Sequence, residues 1–389
     1  MKTMLDSGLD ASELAARGAL ATATEIAQQP AMLRATQALL DECAAEIGAW
    51  VTARLRQEGV RVVFAGAGTS AFIGECLAPE LSRRLGVRCD AVATTDIVAQ
   101  PAAAFVRTQP LLLVSFGRSG NSPESLATVE LADRLVDRVH HLVVTCNADG
   151  ALARHARRSH DRAMLLLLPE ATHDRSFAMT SSFSCMLYAA LVAFRGPEAA
   201  RARLEAVAAA TAAVIECQGA RMRELGAAGH DRVIYLGSHV LRGLAREAAL
   251  KLLELSDGRC VALHDTPLGF RHGPKTVVND RALVVVFVSN DPHTRKYDLD
   301  LLAELGRDRV AARVLAVTAR PLTPIAGVEI VGVPQLAEAD DVDLLVPYVA
   351  LAQMLAFHAS LQLGLSPDRP NVAGTVNRVV QGVTIHALA

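Results

Sequence analysis

The sequence predicts an α/β protein built on parallel sheets, and three observations carry that expectation. Short β-rich runs alternate with helix-like segments from residue 61 onward. Those runs are apolar throughout instead of alternating, as strands buried on both faces are. Glycine- and serine-rich turns stand at several of the strand ends. The 389 residues suit two domains better than one, and 51% apolar residues are enough for two cores.

Residues 1–58 are Ala- and Leu-rich helical stretches, divided at Pro30, with Trp50 on the second pattern. Arg61-Val-Val-Phe-Ala-Gly66 is the first strand, and a helix follows to Leu85. Further strands are expected at Val87–Ala93, Leu111–Ser115, His141–Thr145 and Met164–Leu168. A long helical region runs from about Pro197 to Leu225. Then the pattern returns. Arg232-Val-Ile-Tyr-Leu-Gly237 matches the first strand, Leu283–Val288 matches Leu111–Ser115, and Val314–Thr318 matches His141–Thr145. The expectation is one α/β unit used twice. The domains would be an N-terminal helical segment 1–44, a first domain 45–200, and a second domain 213–389 that includes a C-terminal tail.

Lys+Arg 39 against Asp+Glu 41 gives a net charge of −2, which speaks against binding nucleic acid by bulk electrostatics. The longest apolar run is read as Phe183–Phe194, short of the roughly 20 residues that span a bilayer. Asp6, Asp10 and Glu13 near the start do not resemble an export signal, so a cytoplasmic location is expected. The seven cysteines are odd in number and scattered, as buried, reduced thiols are. Only four lysines occur, Lys2, Lys251, Lys275 and Lys296.

Gly66-Ala-Gly-Thr-Ser70 joins the first strand to its helix. It is either a tight turn or a place where backbone and helix N-terminus receive an anion; Ala71 stands where a dinucleotide fingerprint needs its last glycine. Ser115-Phe-Gly-Arg-Ser-Gly-Asn-Ser-Pro-Glu-Ser125 is more specific. Ser122 is a natural N-cap and Pro123 suits the first helical turn, so a helix starts at 122–123. Upstream, Arg118, Ser119, Asn121 and Ser122 form the donor set a phosphate monoester needs, without the lysine of a nucleotide loop. Thr180-Ser-Ser182 either caps the next helix or lines the same crevice.

In the second half, Glu247, Lys251 and Glu254 share one helix face. They form either a solvated ion-pair stripe or a cleft wall, and the surrounding Leu250, Leu252, Leu253 and Leu255 favour the cleft, where a carboxylate can serve as general base. His264-Asp-Thr-Pro-Leu-Gly-Phe-Arg-His-Gly-Pro-Lys275 reads as a loop rich in chemistry, with His264, Asp265, Arg271, His272 and Lys275. Asp291–Asp298 is either an ordinary connection or a rim. No His, Cys and Asp set has metal-ligand spacing, so neither metal nor cofactor is expected.

These motifs resemble those of the sugar isomerase (SIS) domain proteins, over roughly residues 45–370. Gly66–Ser70 and Gly117-Arg-Ser-Gly-Asn-Ser122 are similar to the two family loops that hold a sugar phosphate. Ala249-Leu-Lys-Leu-Leu-Glu-Leu-Ser256 with Phe270-Arg-His-Gly-Pro274 resembles the catalytic helix and loop in the isomerase half of glucosamine-6-phosphate synthase. Ser115–Ser125 and Gly374-Thr-Val-Asn-Arg-Val-Val-Gln-Gly-Val-Thr384 resemble the subgroup of tagatose-6-phosphate ketose/aldose isomerases and galactosamine-6-phosphate deaminase/isomerases. The resemblance implies two tandem domains, each a flavodoxin-like three-layer parallel sheet flanked by helices. It implies phosphate binding by Thr69, Ser70, Arg118, Ser119 and Ser122, and Ser181 is added as a candidate from the 180–182 patch. It further implies Glu254 as the base acting between C1 and C2, His272 as the ring-opening group supplied by a second subunit of a homodimer, and Lys251 near the reacting carbons.

Two departures bear on the reaction. The synthase has a working lysine in its tail, whereas Pro367-Asp-Arg-Pro-Asn-Val-Ala-Gly374 has none. The start, Met1-Lys2, has no early cysteine, so no glutaminase and no ammonia source are expected. Both favour releasing ammonia over installing it. The expected activity is deamination and isomerisation of galactosamine 6-phosphate to tagatose 6-phosphate. The rivals are a plain aldose/ketose isomerase on galactose or tagatose 6-phosphate, action on the gluco epimer, and a non-catalytic sugar-phosphate sensor.

Overall fold

Among the residues that the computed structural model describes (4–159, 161–380 and 382–388), ten strands form two five-stranded parallel sheets. Met1 and Lys2 of the expected start, Gln381 of the tail motif and the terminal Ala389 lie outside the described residues. The first sheet holds β1 (Arg61–Ala65), β2 (Arg88–Ala91), β3 (Leu111–Gly117), β4 (Val139–Thr145) and β5 (Ala163–Leu167), in the order β2-β1-β3-β4-β5. The second holds β6 (Arg232–Gly237), β7 (Val261–Asp265), β8 (Ala282–Phe287), β9 (Arg313–Thr318) and β10 (Glu329–Gly332), in the order β7-β6-β8-β9-β10. Both sheets therefore follow the doubly wound path 2-1-3-4-5. The central strands are fully buried, which is why they read as unbroken apolar runs: Val62, Val63, Phe64 and Ala65 have no exposed surface.

Two strands escaped the sequence reading, β7 and β10, and both lie at sheet edges. Val261, Leu263 and His264 of β7 are exposed, so it carries mixed polarity. His264 and Asp265 accordingly close a strand and do not sit in a loop; the loop proper begins at Thr266 and contains a helical turn, Pro267–Phe270.

The chain forms two compact units. Around the first sheet are Ala31–Asp174, Ser181–Leu204 and Thr375–Ala389; around the second are Met1–Pro30, Arg175–Thr180 and Glu205–Gly374. The segment up to Pro30 is thus grouped with the second sheet, and the tail from Thr375 with the first. Two carboxylates, a half-buried Asp368 and a buried Glu25, account for the first of these placements. Asp368 accepts from the amides of Ala21 and Thr22 and from the Thr22 hydroxyl, while Glu25 accepts from the Arg175 amide (2.5 Å) and from both the amide and hydroxyl of Ser176.

The longest apolar segment is not Phe183–Phe194, which lies in the helix Ser181–Arg195, but the helix Asp341–Gln362. Its Asp341, Asp343, Gln353 and His358 broke the run on paper. It is long and apolar enough to cross a membrane, yet its apolar window is 94% buried, packed on the helix Val240–Leu255. All seven cysteines are free thiols; five are buried, Cys43 is half-buried, and Cys217 is exposed, contrary to the expectation of burial.

The turn after the first strand of each sheet has the same backbone. Gly66 and Gly237 are obligatory, because a β-carbon there would lie 2.6 Å from the Ser70 carbonyl oxygen and 2.3 Å from that of Leu241. The next helix starts at Gly68 (φ 54°, ψ −130°) in one unit and at His239 (φ 54°, ψ −123°) in the other. Only glycine adopts that conformation without strain. His239→Gly is expected to stabilise the protein by about 1 kcal/mol, since strain relief of ~1–3 kcal/mol exceeds the added freedom of the unfolded chain. Gly68→Ala is expected to destabilise by about 1–3 kcal/mol although nothing lies within 4 Å of the new methyl. Urea unfolding midpoints check both, and a His239→Gly protein no more stable than the parent contradicts the strain argument.

Candidate active site

In the first sheet, β1 and β3 run side by side, with Ala65 opposite Ser115. Their crossovers leave to opposite sides, so the turns that follow them face a crevice at the carboxyl edge, where open α/β sheets take ligands. Thr69 and Ser70 are buried and open the helix Thr69–Leu85 at that edge. Across from them is the turn 117–122. Neighbouring groups hold its shape: Thr145 Oγ1 donates to the Gly117 carbonyl (2.6 Å), Asn147 Nδ2 donates to the Ser119 carbonyl (2.8 Å), and the Ala151 amide donates to Asn121 Oδ1 (2.9 Å). Asn121 is therefore spent on structure. Ser119 Oγ accepts from the Asn121 amide at 3.3 Å. Ser122 does occupy the N-cap of the helix Pro123–Leu135, but its hydroxyl donates to Glu124 (2.7 Å) instead of capping.

Arg118 and Ser181 are joined in one network. Arg118 Nη2 donates to the Arg378 carbonyl at 3.0 Å. The Arg378 guanidinium donates to the Asp174 carbonyl. The Asp174 carboxylate, fully buried, accepts from the Ser181 hydroxyl (2.5 Å) and from the amide (2.9 Å) and hydroxyl (2.5 Å) of Ser182, capping the helix Ser181–Arg195. Burial, followed by the charges of Arg378 and Arg118, lowers the pKa of His173. Two guanidiniums thus bring positive charge to one patch beside the turn 117–122. Sequence reasoning did not single out Arg378: it stands within the tail motif 374–384, which was given a resemblance but no role at the site.

In the second unit, the helix Val240–Leu255 carries the predicted acid/base face. Glu247 and Lys251 are fully buried and Glu254 keeps 23% of its side chain exposed, so the face is an inward one and not a solvated stripe. Lys251 Nζ lies 2.5 Å from Glu254 Oε2 and 3.5 Å from Glu247 Oε1. The ammonium orients the one carboxylate that still reaches solvent. His272 is exposed, on a turn closed by its amide donating to the Gly269 carbonyl (2.9 Å). The loop's other cations are structural: Arg271 pairs with Glu304 (2.8 Å) and Lys275 pairs with Glu304 and Asp308, pinning the turn to the helix Thr294–Asp308.

The second sheet has its own crevice between β6 and β8, filled by the chain's own acids. Ser238 Oγ and the Ser289 amide donate to Asp298 (2.8 and 2.9 Å). Ser289 Oγ and the Asn290 amide donate to Asp341 (2.5 and 2.6 Å). Donors equivalent to those of the first crevice are occupied by carboxylates here. Burial pushes Asp298 up to about 6 and also raises Asp341.

The SIS domain family model matches residues 54–195, the span that holds the first doubly wound sheet and its serine-bearing turns. Near full-length relatives at well over 30% identity extend that match to the whole chain, and the chain belongs to the SIS domain family. Its relatives there are AgaS proteins. It is 48% identical to AgaS of Streptomyces coelicolor, over 95% of this chain and 96% of that one. It is 46% identical to the D-galactosamine-6-phosphate deaminase AgaS of Escherichia coli, over 94% and 95%. Among solved structures, the tagatose-6-phosphate ketose/aldose isomerase from Escherichia coli superposes with a TM-score of 0.86 at 43% identity, over 94% of this chain and 96% of that one.

Two outcomes follow from the buried charges. Lys251→Met removes the ammonium beside the buried Glu247 and is expected to cost about 3–5 kcal/mol in urea unfolding, part of it recovered by adding Glu247→Gln. Asp298 has a folded pKa of about 6 against 3.8 unfolded, so its contribution is fully present below 3.8 and lost as pH rises through 6. The stability difference between wild type and Asp298→Asn is therefore expected to turn against wild type by about 2 kcal/mol between pH 4 and pH 7. A flat difference across that range removes the buried-acid reading.

Proposed function

We propose that this chain is a galactosamine-6-phosphate deaminase/isomerase, converting the amino-sugar phosphate to tagatose 6-phosphate and ammonia. The observation that carries the reading is the near full-length similarity to AgaS proteins together with Glu254, the one partly exposed carboxylate on a buried, lysine-braced helix face. Thr69, Ser70, Ser119, Ser122 and Arg118 hold the phosphate, Arg118 supplying the charge and the small hydroxyls and turn amides the remaining bonds. Ser181 contributes through Asp174, which links it to the Arg118 network.

The chemistry is proton transfer next to a carbonyl. His272 assists ring opening to the C1 aldehyde. Glu254 removes the C2 proton and returns it at C1, and the proton lost by the C2 ammonium passes to O1, so that C1 becomes an alcohol carbon and the C2–N bond becomes an iminium. Water adds at C2, the C–N bond breaks, ammonia leaves, and the C2 ketone of tagatose 6-phosphate remains. One oriented base and one fixed anion anchor suffice for that sequence. Lys251 positions the carboxylate. The exposure of His272 supports a homodimer in which it serves the partner's substrate, and the free thiols suit a cytoplasmic setting.

The printed name of the Escherichia coli structure keeps a second reading in view, a plain ketose/aldose isomerase. Incubation with galactosamine 6-phosphate is expected to release one ammonia per ketose formed, with galactose 6-phosphate turned over far more slowly. Ketose formation from galactose 6-phosphate without any ammonia from the amino sugar selects the isomerase. Glu254→Gln is expected to lower kcat at least 10²-fold with KM little changed. Mixing Glu254→Gln with His272→Ala subunits, each nearly inactive, is expected to restore activity in the mixed dimer. No recovery after verified subunit exchange sinks the shared site.

A further inference from the structure

Sequence spacing offers no metal set, because the residues in question lie on three separate elements. Asp133 is in the last turn of the helix Pro123–Leu135, His141 is in β4, and His155 is in the helix Ala151–Arg158. The helix after β3 runs back toward the amino edge of the sheet, so Asp133 meets β4 at its start, away from the turns that face the crevice. From these residues we infer a second, independent site: a divalent cation of the zinc type held by Asp133, His141 and His155.

The geometry fits. His141 Nε2 lies 3.2 Å from Asp133 Oδ1 and His155 Nε2 lies 3.5 Å from Asp133 Oδ2, and the three ligand atoms all lie within 4.8 Å of one another. Tetrahedral zinc with bonds of about 2.0–2.1 Å sets its ligand atoms roughly 3.3–3.4 Å apart. Two imidazoles and one carboxylate are a donor set zinc accepts, with a fourth position left for water. Burial fits as well. The His141 side chain is fully buried and that of His155 is 10% exposed, while Asp133, 24% exposed, opens the cluster to solvent.

The cluster also has unused capacity. His155 Nε2 is buried, aimed at Asp133, and without a hydrogen-bond partner. A hydrogen-bonded staple would use that nitrogen; a cation between the two groups does. One group competes. Arg162 Nη1 sits 2.9 Å from Asp133 Oδ1, but its side chain is 52% exposed and can swing clear.

The experiment is zinc titration of the full chain after treatment with a chelator, read by calorimetry and by metal content after gel filtration. The expected result is one zinc per chain and a higher melting temperature in its presence. A visible ligand-field spectrum of tetrahedral type is expected when cobalt replaces zinc. His155→Gln and Asp133→Asn should each weaken zinc binding about 100-fold or more, and Arg162→Ala should tighten it several-fold. Wild-type protein that keeps no zinc overturns the inference, as does His155→Gln binding with wild-type affinity. Should the buried variants fail to fold, the half-exposed Arg162→Ala decides, and unchanged affinity there overturns the site.

Discussion

Two parallel strands that lie side by side cannot be joined by a hairpin; each must send its chain over a face of the sheet and back. In this protein that constraint places β1 beside β3 and β6 beside β8, with the crossovers departing to opposite sides. What is left uncovered in each unit is the pair of turns at the carboxyl edge. The residues that fill those turns decide what the unit can do. In the first, Thr69, Ser70, Arg118, Ser119 and Ser122 are donors, and the fixed charge nearby is positive. In the second, Asp298 and Asp341 accept from Ser238, Ser289 and the Asn290 amide, so the chain provides its own anions. On the proposed reading, one backbone plan thus carries an anion site in the first unit and turns filled by two of the chain's own carboxylates in the second.

The closed crevice leaves the second unit free for another task. Its helix Val240–Leu255 starts at the strained His239 and carries three ionisable side chains on one face. Burying charges is costly, and only mutual pairing makes it tolerable. Lys251 sits between two glutamates, one sealed and one partly exposed. The sealed Glu247 offsets the ammonium's charge, so that Lys251 need not be satisfied by Glu254 alone. Glu254 is then held through Oε2 while keeping contact with solvent, the compromise between fixed geometry and access that the proposed general base needs.

Sequence reading succeeded where burial is complete on both faces. The central strands, the glycine after β1 and β6, the helix start at Ser122-Pro123 and the face shared by Glu247, Lys251 and Glu254 are all local patterns of residue type. It failed where the decisive partner is distant in sequence. β7 and β10 lack the apolar run because edge strands are covered less. The helix Asp341–Gln362 was overlooked because Asp341 and Asp343 at its start, and the buried Gln353 and His358 further along, interrupt its apolar run. Gln353 and His358 find partners near the other end of the chain, at Gln29 and at the Leu5 carbonyl. Arg378 and the Asp133–His141–His155 cluster are products of tertiary assembly alone, and no spacing rule reaches them.

The interleaving of the units gives the chain ends a function that the two-domain plan does not suggest. The N-terminal helices complete the unit of the second sheet, and the tail completes that of the first. Within the first unit, the tail covers a groove of about 420 Å3 against Thr95, Val98 and Glu124, the same Glu124 that binds the Ser122 hydroxyl. A few residues earlier, Arg378 supplies an acceptor to the buried Arg118 guanidinium and spends its own guanidinium on Asp174. A buried guanidinium deprived of such an acceptor must either expose itself or seek another anion. Arg118 is therefore held in the crevice by backbone from the far end of the chain. In the proposed anion site, the placement of Arg118 thus involves the tail as well as the serine-rich turn that carries it.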